Sequence, residues 1–138
     1  SYEALVEAIE TYATGSFSRS KFVDDLLEIQ VESLGESGLA TYEEITDVVF
    51  AEECSSLYDY AQKNFAVKNY QIVIERMERV MEIDSGYADG GAMLLLMETY
   101  HELGEAEKAE SLYQTILQEY PDTEVAQNAT QIMTGQEE

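Results

Sequence analysis

Basic side chains are scarce in this chain. Seven Lys and Arg stand against 29 Asp and Glu over 138 residues, a formal net charge of −22. A surface of that sign repels phosphate, which excludes a nucleic-acid site and docking on an anionic membrane. The acids are spread rather than blocked: residues 1–34 carry seven acids and two bases, 35–69 seven and two, and 70–138 fifteen and three. That spread reads as the solvated faces of helices, not as an acidic tail. A single cysteine, Cys54, excludes an internal disulfide, and the apolar residues before it, Val48-Val49-Phe50-Ala51, point to a buried thiol. One proline and eight glycines leave few breakers and favour helix over sheet. His101 is the only histidine, and there is no Gly-rich phosphate loop, Cys/His cluster or nucleophile–His–acid order. The chain is therefore read as non-enzymatic, with no cofactor and no metal. An apolar run of about 18 residues, a signal peptide and a lipidation motif are all missing, so this segment does not insert into a membrane.

What is present is helical periodicity over almost the whole length. A hydrophobic fraction of 45% in 138 residues is ordinary for one domain with a proper core. Met93, Leu96, Met97, Tyr100 and Leu103 recur every three or four residues, which places them on one helical face. Ala109, Leu112, Tyr113, Ile116, Leu117 and Tyr120 do the same on a following helix. Gly104 between them can take the left-handed conformation that ends a helix, and the short link makes the pair antiparallel. Ala109 lets the two axes approach, with Tyr100 and Tyr113 filling the space above and below. Pro121 stops the second helix.

The residues Met93, Leu96, Tyr100, Gly104, Ala109, Tyr113 and Pro121 resemble the tetratricopeptide repeat, a unit of about 34 residues with large, small and Pro positions at these offsets. Met93 replaces the usual aromatic and Met97 the usual Gly; Met fills irregular gaps, so neither departure disturbs the pattern. The resemblance implies an all-α superhelix of about seven helices in one domain spanning 1–138: three antiparallel pairs and a C-terminal capping helix. Residues 1–34 form a degenerate first repeat, 41–84 a second with an extended first helix, and 88–121 a third, with the cap at 122–134.

The earlier repeats are fainter. Tyr2, Leu5, Val6, Ile9, Tyr12 and Ala13 predict a first helix. Gly15-Ser16 breaks it, Phe17 restarts the chain, and Val23, Leu26, Leu27, Val31 and Leu34 carry a second helix to about Leu34. Gly35-Glu36-Ser37-Gly38 reads as a loop. Thr41-Tyr42-Glu43-Glu44 has the form of a capping box, so a helix is expected to begin near Tyr42 and run roughly 25 residues, long enough to allow a kink near Ser55-Ser56. Tyr70 to about Asp84 is the next helix. Asn64 stands where the family carries a Tyr. Asp122-Thr123 caps the last helix, covering the exposed end of the stack, and residues 135–138 are expected to fray.

In the repeats this pattern resembles, ligands meet the second, fifth, ninth, twelfth and thirteenth positions of each pair's first helix. In the third repeat these are Gly91, Leu94, Glu98, His101 and Glu102, and in the second Ser55, Tyr58, Gln62, Phe65 and Ala66. The resemblance thus implies a non-catalytic interaction or scaffold module. Its partner-binding groove is formed by Tyr58, Gln62, Phe65, Leu94, Glu98, His101 and Glu102, suited to a protein or peptide carrying basic residues. Tyr58 and Phe65 fit ordinary core equally well. Glu98-x-x-His101 matches half of a di-iron helix motif, but the second copy is missing. Asp84–Gly91 fails as a calcium loop at Gly86 and Ala88. Asn128-Ala129-Thr130 is a glycosylation sequon inside an expected helix. The alternative is a self-associating structural module, a homo-oligomer joined through first-helix residues such as Val6 or Leu5. The ending Tyr-Pro-Asp-Thr-Glu-Val-Ala-Gln-Asn-Ala also resembles repeats common in bacterial cell-envelope proteins; with the start at Ser1 rather than Met, that resemblance implies an excised, outward-facing piece of a membrane-anchored bacterial protein rather than a cytoplasmic one.

Overall fold

A computed structural model describes residues 1–15 and 18–135. Phe17, expected to restart the helix after Gly15, and residues 136–138, expected to fray, lie outside the described residues. Among the described residues there are seven α-helices and no strand: α1 (Tyr2–Ala13), α2 (Arg19–Leu27), α3 (Glu36–Ala66), α4 (Tyr70–Ile83), α5 (Gly91–Glu102), α6 (Ala106–Glu119) and α7 (Glu124–Thr134). A short 3-10 turn fills Val31–Ser33, and a tight turn with Ala88, Asp89 and Gly90 at positive φ precedes α5. The helices group into two compact units, Ser1–Ser55 and Ser56–Glu138, and the division falls inside α3.

In the first unit, Ser1 and Ser18 cap α1 and α2, their hydroxyls accepting from Ala4 N and Lys21 N at 3.3 Å. Each bond satisfies one of the free amides at a helix start. α1 buries Leu5 and Ala8, and α2 buries Phe22, Val23 and Leu26. Tyr12 stacks on Phe22 at 4.4 Å, and Tyr42 Oη donates to Leu26 O at 3.2 Å, tying α3 to the end of α2. Inside this unit Arg19 Nε donates to Glu53 Oε1 at 3.0 Å, which gives a buried carboxylate its counter-charge.

Two boundaries depart from the sequence reading. α2 ends at Leu27, not near Leu34, because Gln30 is extended and the chain then makes a 3-10 turn that sets buried Leu34 against the core. Gly35–Gly38 is not a loop: α3 begins at Glu36, about a turn and a half before Tyr42. Gly38 is buried because the Tyr2 ring lies over it, with Tyr2 Cδ1 only 2.8 Å from where a Cβ would be. Thr41 consequently sits inside the helix and donates to Ser37 O at 3.1 Å, so Thr41-x-x-Glu44 is no cap. The result is a helix of 31 residues where about 25 were expected.

The second unit is organised around α5, which packs against α4, α6 and α7. Ala92, Met93, Leu95, Leu96, Met97, Thr99 and Tyr100 are buried on it. Buried Thr99 satisfies its hydroxyl on Leu95 O at 2.7 Å, and Tyr100 Oη donates to Glu78 Oε1 on α4 at 3.0 Å. α4 contributes Val73, Met77 and Val80, α6 Ala109 and Ile116, and α7 Ala126 and Ala129. Asn64 holds the α3–α4 turn. Its Nδ2 donates to Tyr60 O at 2.8 Å, its Oδ1 accepts from Asn69 Nδ2 at 3.1 Å, and its carbonyl accepts from Asn69 N at 2.8 Å. The buried amide that stands in place of a Tyr thus has a partner on both its nitrogen and its oxygen. Thr123 caps α7, accepting from Ala126 N at 3.2 Å. Gly104 adopts φ +75°, and Gly90 adopts φ +93° directly beneath the Tyr120 ring, a close approach a side chain would obstruct.

Candidate functional site

The buried stripe of α5 leaves one face uncovered. Leu94, Glu98, His101 and Glu102 follow one another at i, i+4, i+7 and i+8, which keeps them together on a helix. Leu94 and Glu98 are half-buried, His101 and Glu102 exposed. Burial raises the Glu98 carboxyl above its ordinary value, the Glu102 charge adds to this, and His101 opposes it. The stripe therefore combines an apolar start, a partly desolvated acid and an exposed imidazole and carboxylate.

Tyr58 belongs at the head of this stripe. It is half-buried, packs edge-on against Tyr87 with ring centroids 5.7 Å apart, and sets its hydroxyl 3.0 Å from where a Cβ on Gly91 would stand. Burial raises its phenol, with Tyr87 and Asp59 adding to the shift. Gly91 is thus the small residue that admits the Tyr58 hydroxyl against the first turn of α5. Gln62, one turn further along α3, is exposed. Phe65 is half-buried and packs on Tyr70 at 5.5 Å, a contact that anchors the α3–α4 turn. The structure therefore joins Tyr58 to the α5 N-terminus and Glu98 to His101 and Glu102, while the Phe65 contact is with Tyr70.

Two further features were not legible in the sequence. Arg76 lies over the exposed Tyr60 ring at 5.3 Å and Lys108 over Tyr100 at 5.4 Å, so two of the few cations are spent on aromatic faces. In the first unit, Ile9, Tyr12, Phe22, Ile45, Val48 and Val49 line an apolar groove of 360 Å³. The only sequence signal for it was an apolar stripe on α1 wider than one neighbour needs. The self-association reading requires a correction: Leu5 is fully buried on the same face as Ala8 and is not available to a second copy, and Val6 is half-buried. Among the described residues, no group of three or more His, Cys, Asp or Glu side chains is placed to hold a metal ion, and no helix is long and apolar enough to cross a membrane.

Comparison with known proteins bears on the second unit. Residues 65–132, from the end of α3 into α7, match the family model described as tetratricopeptide repeat. No curated protein and no solved structure matches the chain.

Proposed function

We propose, on the premise that residues 65–132 belong to the tetratricopeptide repeat family, that this chain holds a protein or peptide partner against the uncovered faces of α3 and α5. Repeats of this family are protein–protein interaction modules and typically non-catalytic. The observation that carries the finer reading is the α5 stripe: Leu94, Glu98, His101 and Glu102 stay uncovered on a helix otherwise buried on all sides. A partly desolvated carboxyl there costs stability, and a basic partner offsets that cost.

In the proposed arrangement the end of α3 and the start of α5 run side by side from the Tyr58–Gly91 contact. With a rise of about 1.5 Å per residue, Gln62 then stands level with Leu95 and Phe65 with Glu98. Tyr58, Gln62 and Phe65 form one wall, and Leu94, Glu98, His101 and Glu102 the other. An aromatic and aliphatic floor supplies affinity, and the acidic edge selects Lys or Arg in the ligand. The net charge of −22 speeds encounter with such a partner and opposes nucleic acid and self-association alike.

The test is capture from a lysate of the source cells with the chain and with a Tyr58→Ala/Glu98→Lys/His101→Ala variant shown by circular dichroism to be folded. A partner held by the native chain and lost by the variant supports the groove. Equal capture by both moves the site to another face, and a concentration-dependent dimer with no captured partner favours self-association.

A further inference from the structure

The apolar groove of the first unit is separate from the α3–α5 surface and lies outside the residues that match the family. Its 360 Å³ falls near the lower end of ligand pockets, about 300–1,000 Å³. α1 and α3 form its walls: Tyr2 lies over Gly38, and further along Ile9 and Tyr12 face the same space as Ile45 and Val48. Phe22, stacked on Tyr12, closes it from α2. Val48 is 57% exposed, unusual for a Val in a helix that buries its neighbours Val49 and Thr46. A channel between two side-by-side helices accepts a third whose apolar residues recur at i, i+3, i+4 and i+7.

Charge decides among occupants. Residues 1–55 hold thirteen Asp and Glu against Arg19 and Lys21 alone. Arg19 is bound to Glu53 at 3.0 Å, and Lys21 to Asp25 at 2.6 Å. Glu44 lines the groove itself, and exposed Glu10 and Asp47 adjoin Ile9 and Val48 in the chain. A second copy would bring its own −22 against this acidic face, so like charge opposes self-pairing. A helix with an apolar stripe and Lys or Arg on its flanks matches both the apolar floor and the acidic surroundings.

We propose that the groove between α1 and α3 is a second docking site, taking an amphipathic helix of a partner protein that flanks its apolar stripe with basic residues. The reading does not depend on the α3–α5 groove.

The experiment uses fluorescence anisotropy with two labelled synthetic helices of about 18 residues sharing one Leu stripe, one flanked by Lys and the other by Glu. Both are titrated with the full chain, with Val48→Lys, with Val48→Gln, and with the Tyr58→Ala/Glu98→Lys/His101→Ala variant. Val48 is exposed, so neither substitution there threatens the fold, and circular dichroism confirms it. The expected result is binding of the Lys-flanked helix that weakens between about 0.05 M and 0.5 M salt. Val48→Lys and Val48→Gln each weaken it about tenfold, and the triple variant leaves it close to native. Equal binding of the two peptides, or none by either, overturns the proposal. Weakening by Val48→Lys but not Val48→Gln reduces the effect to charge alone and overturns it as well. Loss in the triple variant places the peptide in the α3–α5 groove instead. A dimer that strengthens with salt and is broken by Val48→Lys makes a second copy the occupant, which also contradicts the proposal.

Discussion

Gly90→Ala is expected to be among the more damaging single-methyl additions in the second unit, and the structure separates its two causes. Gly90 has φ +93°, and Gly104 has φ +75°. An L-residue in this region costs about 1–2 kcal/mol. The added Cβ also restricts the unfolded chain, which returns about 0.4–1 kcal/mol. At Gly104 nothing lies within 4 Å of an added Cβ, so Gly104→Ala reports the backbone effect alone, a net loss of about 1 kcal/mol. At Gly90 the added Cβ meets Tyr120 Cδ2 and Cε2 at 3.0 Å and Cζ at 3.2 Å, with the ring itself half-buried. Overpacking of that kind costs a further 1–3 kcal/mol or so, for a total of about 2–4 kcal/mol. Equilibrium urea unfolding of the native chain and the two variants measures both, with the slope m unchanged if the unfolded state is the same. A cycle with Tyr120→Leu then isolates the clash: Gly90→Ala should cost about 1 kcal/mol or more less when the ring is absent. A Gly90→Ala loss no larger than that of Gly104→Ala, or a cycle without coupling, refutes this account of the turn.

Three other outcomes follow from the packing. Tyr100→Phe removes the 3.0 Å bond to Glu78 and should cost about 1 kcal/mol in chemical denaturation. In the native chain the Tyr100 phenol, raised first by burial and then by Glu78 to about 12, keeps its proton when ordinary tyrosines lose theirs. Its contribution is complete below about pH 10 and is lost as pH rises toward 12, so native stability should fall across that window and the Phe variant should lack that component. Glu98 is the same case at acid pH: its raised carboxyl favours the protonated folded state, so the ionised form destabilises at pH 7. Glu98→Gln should therefore stabilise by about 0.5 kcal/mol at neutral pH, a gain that disappears once Glu98 is protonated; a loss at pH 7 contradicts the reading. Arg19→Ala strips Glu53, 5% exposed, of its 3.0 Å partner and should cost about 2 kcal/mol, while Arg19→Ala/Glu53→Gln should recover part of it; equal stability of the two variants refutes the pairing.

Local chemistry read well where the determinants were local. Thr123, Pro121 and the spacing of Met93, Leu96 and Tyr100 marked α5, α6 and α7 because caps, breakers and periodicity act over a few residues. The failures came where tertiary contact overrides local preference. Gly38 reads as a breaker, yet it is a packing glycine under Tyr2, and nothing near it in the chain announces that contact. Thr41-x-x-Glu44 has a cap's form within a helix that had already started at Glu36, with Gly38 packed under Tyr2 of α1. Leu34 follows the helical period but is buried from a 3-10 turn, so periodicity extended α2 by about two turns too far. For the candidate groove, the α5 positions came from the resemblance to the repeat family, and the structure leaves Leu94 and Glu98 half-buried and His101 and Glu102 exposed. The Tyr58–Gly91 contact was not legible, since it joins residues of separate helices.

The central claim is that a partner lies along α3 and α5, and site-specific photocrosslinking tests it most directly. A photoreactive residue replaces Gln62 on α3 or, as the control, Gln114 on α6; both positions are exposed, so both variants should fold. With the partner captured by the native chain, the account predicts a covalent product from position 62 and none from position 114. A product from 114 with none from 62 would place the partner on the opposite helices and contradict it.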